Sequence, residues 1–153
     1  MNKVADIATY DAYGQLTLLV EIKSKIGTTS EWASRLRRNI LSHGYFPNVK
    51  FFLVALPDRF YLWKDAGNTP EIVNPNYEID PKPFLRPYFE QSGIAPEKIS
   101  KPGFDIIIFS WLAELSRSAA EEGSGKQVSK NWLVESGLLD AIRKGRVRTE
   151  MVV

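Results

Sequence analysis

Three side chains near the N-terminus, Asp6, Glu21 and Lys23, have the types and spacing for metal-assisted chemistry on a phosphate. Glu21 and Lys23 belong to Leu16-Thr-Leu-Leu-Val-Glu-Ile-Lys-Ser-Lys25, which reads as a strand. Leu16, Leu18, Val20 and Ile22 alternate onto one face, and Thr17, Leu19, Glu21, Lys23 and Lys25 fall on the other. Spacing of two sets the carboxylate and the ammonium side by side. Val4-Ala-Asp-Ile-Ala-Thr-Tyr10 also has strand composition, and Asp11-Ala-Tyr-Gly-Gln15 reads as the turn between the two. With Tyr10 opposite Thr17, Asp6 stands opposite Glu21, at a Cβ separation of about 4.5–5.5 Å. Two carboxylates that close repel unless a cation lies between them. Mg²⁺ or Mn²⁺, which prefer oxygen ligands, would serve. Lys23 would then orient or activate a water, or neutralise phosphate charge.

The segments that follow must hold this pair in place. Residues 28–43 predict a helix, with Thr28-x-x-Glu31 as a capping box and Trp32, Ala33, Leu36, Ile40 and Leu41 as its apolar stripe. Arg35, Arg37 and Arg38 occupy the remaining surface, either as a solvated face or as phosphate contacts. Phe51-Phe-Leu-Val-Ala-Leu56 is apolar throughout and predicts a central strand buried on both faces. Phe60-Tyr-Leu-Trp63 predicts the next strand. Residues 66–83, with four prolines, predict a long irregular connection, and Phe84–Phe89 a short helical turn broken near Pro87. Tyr77, Phe84, Tyr88 and Phe89 either stack on bases or pin this connection to the core. A buried helix is expected from about Gly103 to Arg117, a flexible linker over 118–126, a helix from Val128 to Lys144 with Val134, Leu138, Ala141 and Ile142 as its stripe, and a terminal strand over 146–153. That strand must find a partner, by closing on the sheet edge or by exchange between subunits.

An Asp on one strand of a hairpin, here Ala5-Asp6-Ile7, followed by Glu-x-Lys on the next, here Glu21-Ile22-Lys23, resembles the PD-(D/E)xK nuclease superfamily, the restriction-endonuclease-like fold. The resemblance covers roughly residues 4–65. It implies an α/β fold, a mixed β-sheet flanked by helices. It also implies a helix before the Asp strand. Only Met1-Asn-Lys3 precedes that strand here, so the expected fold lacks the usual first helix or fills its place with another segment. By the same resemblance Asp6, Glu21 and the carbonyl of Ile22 would bind Mg²⁺ or Mn²⁺, Lys23 would position or activate the water, and the substrate would be DNA. Lys25, Thr28, Arg35 and Arg38 are the expected phosphate contacts.

Composition sets limits. The 153 residues suit a single domain: a nuclease-like core over 1–65, the irregular connection over 66–102, and C-terminal helices and strand over 103–153. The absence of cysteine excludes disulfide and thiolate chemistry and suits a cytoplasmic location. No apolar run approaches the ~18 residues of a membrane span. A net charge of +2 means that any nucleic-acid surface is a local patch, and a single histidine, His43, argues against a histidine-rich zinc site. The apolar helix and terminal strand suggest a homodimer. Against the nuclease stands a non-catalytic interaction or accessory module of the same fold, in which Glu21 and Lys23 are an ordinary strand ion pair worth about 0–1 kcal/mol. An acid from the C-terminal half, such as Glu114 or Glu135, completing the metal shell would separate the two.

Overall fold

Strands β1 (Lys3–Tyr10) and β2 (Leu16–Ile22) form the expected hairpin in the computed structural model, which describes residues 3–43, 46–118 and 131–152. The turn is held by Asp11, whose Oδ1 accepts the N–H groups of Tyr13 and Gln15, both at 2.9 Å. Gly14 takes a φ of 83° there, a conformation that costs glycine least. Ile7 pairs with Val20, Ala8 with Leu19 and Thr9 with Leu18. The register then slips, so that Tyr10 faces Leu16 rather than the expected Thr17. The irregularity absorbs one residue of β2 next to the turn and leaves the body of the hairpin in the expected alignment.

Helix α1 (Ser30–Leu41) carries the chain across to β3 (Phe51–Ala55), which runs parallel to β2 with Leu18 beside Phe51 and Ile22 beside Ala55. All five residues of β3 are buried, as its unbroken apolar run predicts. The helix begins one residue later than the expected capping box allows. Thr29, not Thr28, is the N-cap, its hydroxyl accepting the N–H of Trp32 at 3.1 Å. β4 (Phe60–Lys64) and the three-residue β5 (Tyr77–Ile79) add antiparallel neighbours on one side, and β6 (Arg146–Val152) pairs antiparallel with β1 on the other. The result is a six-stranded mixed sheet in the order β5-β4-β3-β2-β1-β6. The terminal strand therefore closes on the edge of its own sheet.

One face of the sheet packs on α1 through Val4, Ala8, Leu19, Phe52, Val54, Tyr61 and Trp63. The other packs Ile7, Leu18, Val20, Ile22, Leu53 and Leu62 against α2 (Lys82–Ser92), α3 (Lys101–Ser118), α4 (Asn131–Ser136) and α5 (Leu138–Ile142). No helix among the described residues is long and apolar enough to cross a membrane.

Several local expectations need correcting. α2 continues through Pro87 instead of ending there. The missing hydrogen bond is outweighed by burial of Leu85 and Phe89, with Phe84 stacked on Trp111 at 5.1 Å between ring centres. These rings pin the connection to the core. β5 lies within the stretch expected to be wholly irregular, because Asn76 fastens it: its N–H donates to Leu62 O at 2.8 Å and its side-chain oxygen accepts the N–H of Lys64 at 2.7 Å. The expected helix 128–144 is two short helices, since Gly137 takes a left-handed φ of 87° between them. Leu133 is buried in place of Val134, which is exposed. Residues 119–126 of the expected linker and 128–130 of that helix lie outside the described residues.

Candidate active site

The candidate site forms where the β1–β2 ladder stops. Ile7–Val20 is the last pair of that ladder, and the β1–β6 register shifts between Lys3 and Ala5. One residue beyond, the Asp6 carboxylate takes the place of a main-chain carbonyl: its Oδ2 accepts the N–H of Ile22 at 2.7 Å. A charged acceptor on a buried amide makes this a strong bond, worth about 1.5–3 kcal/mol. It also fixes Asp6, which is 7% exposed, at the C-terminal end of β2. The N–H and C=O of one strand residue point to the same side, so the Ile22 carbonyl is turned toward β1 as well.

Glu21 lies on β2 one step past the last ladder pair and beside Val54 of β3. Its side chain is 14% exposed, and Oε2 lies 3.4 Å from the Lys23 ammonium. The main chain of Lys23 extends the pairing with β3, donating its N–H to Ala55 O at 3.1 Å. Asp6, Glu21, the Ile22 main chain and Lys23 are thus gathered at one end of the sheet.

Lys101 is a member that sequence reasoning missed. It opens α3, and its ammonium lies 3.2 Å from Asp6 Oδ1 and 2.7 Å from Asp105 Oδ1. Burial works to lower the pKa of Lys101, but hydrogen bonding and charge from Asp105 and Asp6 outweigh it, and the net shift is upward. The signal was present in outline. A lysine in a helix first turn opposes the helix dipole, which favours acids there, so it needs a local carboxylate to hold it.

The expected phosphate contacts divide into two groups. Lys25 and Thr28 lie in the loop that leaves the sheet just after Lys23. Lys25 sits over the Trp32 ring, 5.4 Å from its centre, and the Thr28 hydroxyl is hydrogen-bonded with that of Tyr61 at 3.0 Å. Burial pushes the Tyr61 hydroxyl above its usual pKa. Asp58 holds the same loop, its Oδ2 accepting the N–H of Gly27 at 3.0 Å. Arg35 is exposed, and Arg38 donates to its neighbour Asn39 at 3.4 Å. Arg38 stands about 12 Å along α1 from Ser30 at 1.5 Å per residue, away from the carboxylates. Arg37 does not belong to the solvated face. It is 2% exposed, donates to the carbonyls of Ala66 (3.3 Å) and Gly67 (3.1 Å), and lies over Trp63. Burial lowers its pKa.

The oxygen donors fit a hard divalent ion in type: two carboxylates and a main-chain carbonyl, with a lysine beside them. Neither Glu114 nor Glu135 completes the set. Glu114 accepts a hydrogen bond from the Tyr88 hydroxyl on α2, and no group of three His, Cys, Asp or Glu side chains that could hold a metal forms among the described residues. Such an ion would keep several waters, as Mg²⁺ commonly does. A groove of about 520 Å³ opens at the same end of the sheet, between Ile26 of the β2–α1 loop, Pro57 and Asp58 after β3, and Arg86 and Phe89 of α2. Comparison with protein families, with curated proteins and with solved structures finds no match to this chain.

Proposed function

We propose that this chain has a restriction-endonuclease-like fold and hydrolyses phosphodiester bonds in DNA with the help of Mg²⁺ or Mn²⁺. The observation that carries the reading is the bond from the Ile22 N–H to Asp6 Oδ2, which brings the Asp6 carboxylate to the strand end that bears Glu21. The order of elements supports it: a hairpin bearing the acids, a helical crossover, and a parallel central strand. Asp6, Glu21 and the Ile22 carbonyl would hold the ion. A metal bound there would polarise the scissile phosphate and stabilise the leaving oxygen. Lys23 holds the attacking water in line with phosphorus and offsets charge on the phosphate. Lys25 and Thr28, on the loop just beyond, would contact neighbouring phosphates.

A second reading is favoured by Lys101. An ammonium already placed on Asp6 supplies the positive charge that the paired carboxylates need, which suits a non-catalytic module of the same fold. One experiment separates the two. Mn²⁺ is titrated by calorimetry into the wild type, Asp6→Asn and Glu21→Gln, and the same proteins are incubated with plasmid and single-stranded DNA. Binding and cleavage by the wild type, both lost in the two variants, would support the nuclease. No binding at millimolar Mn²⁺ would overturn the nuclease reading and favour the non-catalytic module.

A further inference from the structure

We infer that Lys101 is an exchangeable counter-ion for this site: it holds Asp6 when no divalent ion is bound and moves fully onto Asp105 when one is. The inference rests on the metal-site reading above. Its basis is the position of one ammonium between two carboxylates on different elements, 3.2 Å from Asp6 and 2.7 Å from Asp105. The two acids differ in what else they do. Asp6 is buried and fixed by the Ile22 N–H, so it cannot follow the lysine. Asp105 lies four residues along the same helix and moves with Lys101 as a unit.

The lysine side chain is 34% exposed, with a flexible four-carbon stem. A small rotation therefore gives up the longer contact and keeps the shorter one. The ammonium stays paired throughout, and its former place on Asp6 Oδ1 becomes open to a cation. Without such a partner, release of Asp6 would leave a half-buried charge alone, and the exchange would be costly. Lys101 is thus a positioning residue. It sets the affinity for the ion by competing for one carboxylate oxygen, and it keeps the empty site folded by offsetting the charge of Asp6.

The test combines metal affinity with metal-free stability. Lys101→Met keeps the stem and removes the charge. It is expected to bind Mn²⁺ about tenfold more tightly than the wild type by calorimetry, equivalent to 1.4 kcal/mol. In chelator it should melt below the wild type, and Mn²⁺ should raise its melting temperature more than it raises that of the wild type. Lys101→Arg keeps the competing charge and should bind Mn²⁺ like the wild type. Lys98→Met removes the same charge three residues earlier and should shift affinity less than twofold, which separates competition at Asp6 from a general change in charge. Unchanged affinity in Lys101→Met, with binding still abolished by Asp6→Asn, would overturn the inference and leave the metal site standing. Binding by neither the wild type nor Lys101→Met would overturn both. Should Lys101→Met not fold, Lys101→Gln takes its place, with the same outcomes.

Discussion

Replacing Asp6 tests whether this acid is part of the fold as well as of the site. Two opposed carboxylates repel, so removing one from a bare acidic pair would stabilise the metal-free protein. The structure predicts the opposite. Asp6→Ala deprives the buried Ile22 N–H of its acceptor, at about 1.5–3 kcal/mol. It also takes one of two acid partners from Lys101, which at 34% exposure is worth at most about 1 kcal/mol. Relief of repulsion offsets little, because Asp6 and Glu21 each already face an ammonium, at 3.2 and 3.4 Å. The net loss is about 2–4 kcal/mol. At this chain length a loss of about 3 kcal/mol lowers Tm by roughly 6–12 °C. Asp6→Asn keeps a carbonyl oxygen for Ile22 and should lose about half as much. Glu21→Ala removes the strand ion pair with Lys23, a loss of no more than about 1 kcal/mol. Urea unfolding in chelator, followed by tryptophan fluorescence, reads all three as shifts in midpoint at constant slope. An Asp6→Ala protein as stable as the wild type, or one less affected than Glu21→Ala, would refute the reasoning.

Arg37→Ala should destabilise by about 2–4 kcal/mol, through lost packing on Trp63 and two carbonyls left without their donor, while Arg35→Ala should stay within about 0.5 kcal/mol; the same urea titration compares them. Lys101 and Tyr61 both have folded pKa values raised above their usual 10.5 and 10.0. Their contributions are therefore complete below about pH 10 and fade as pH rises through the folded values, because the unfolded chain loses those protons first. Melting temperatures should fall from about pH 10 upward, and Tyr61→Phe should lessen the fall. Gly145→Ala would bring a Cβ to 1.8 Å from the Tyr10 carbonyl oxygen, so the turn into β6 must move away from β1. The expected cost is about 1–3 kcal/mol, with faster amide exchange along Arg146–Val152 as the marker.

The strand carrying Glu21 was legible from its apolar alternation, although it ends at Ile22 and its middle, Leu18, Leu19 and Val20, is buried on both faces. The alignment of the hairpin followed from matching the two strands over Ile7–Thr9, and the slip at Tyr10 lies on the turn side of those pairs; the ladder stops at Ile7–Val20, before the expected pair of Asp6 with Glu21. Arg37 was misread beside Arg35 and Arg38, although it lies midway along an i, i+4 row with Ala33 and Leu41, both buried. A charged residue centred in an apolar row was the available signal. Lys101 was harder to find. It meets Asp6 across 95 positions of sequence, and only the packing of α3 on the sheet brings the two together. The path of α2 through Pro87 was likewise decided by aromatic packing, which local preferences do not contain.

The pairing of β6 with β1 has a consequence for biosynthesis. β1, the strand that carries Asp6, leaves the ribosome about 140 residues ahead of its outer neighbour. At about 5–20 residues per second, the outer edge of β1 stays unpaired for roughly 7–28 s. During that interval the nascent chain presents an apolar strand edge able to template intermolecular pairing, and Lys101, which balances Asp6, follows it by 95 residues. Chaperone dependence and inclusion-body formation during rapid expression should therefore track the late arrival of the C-terminal strand more than the stability of the finished protein.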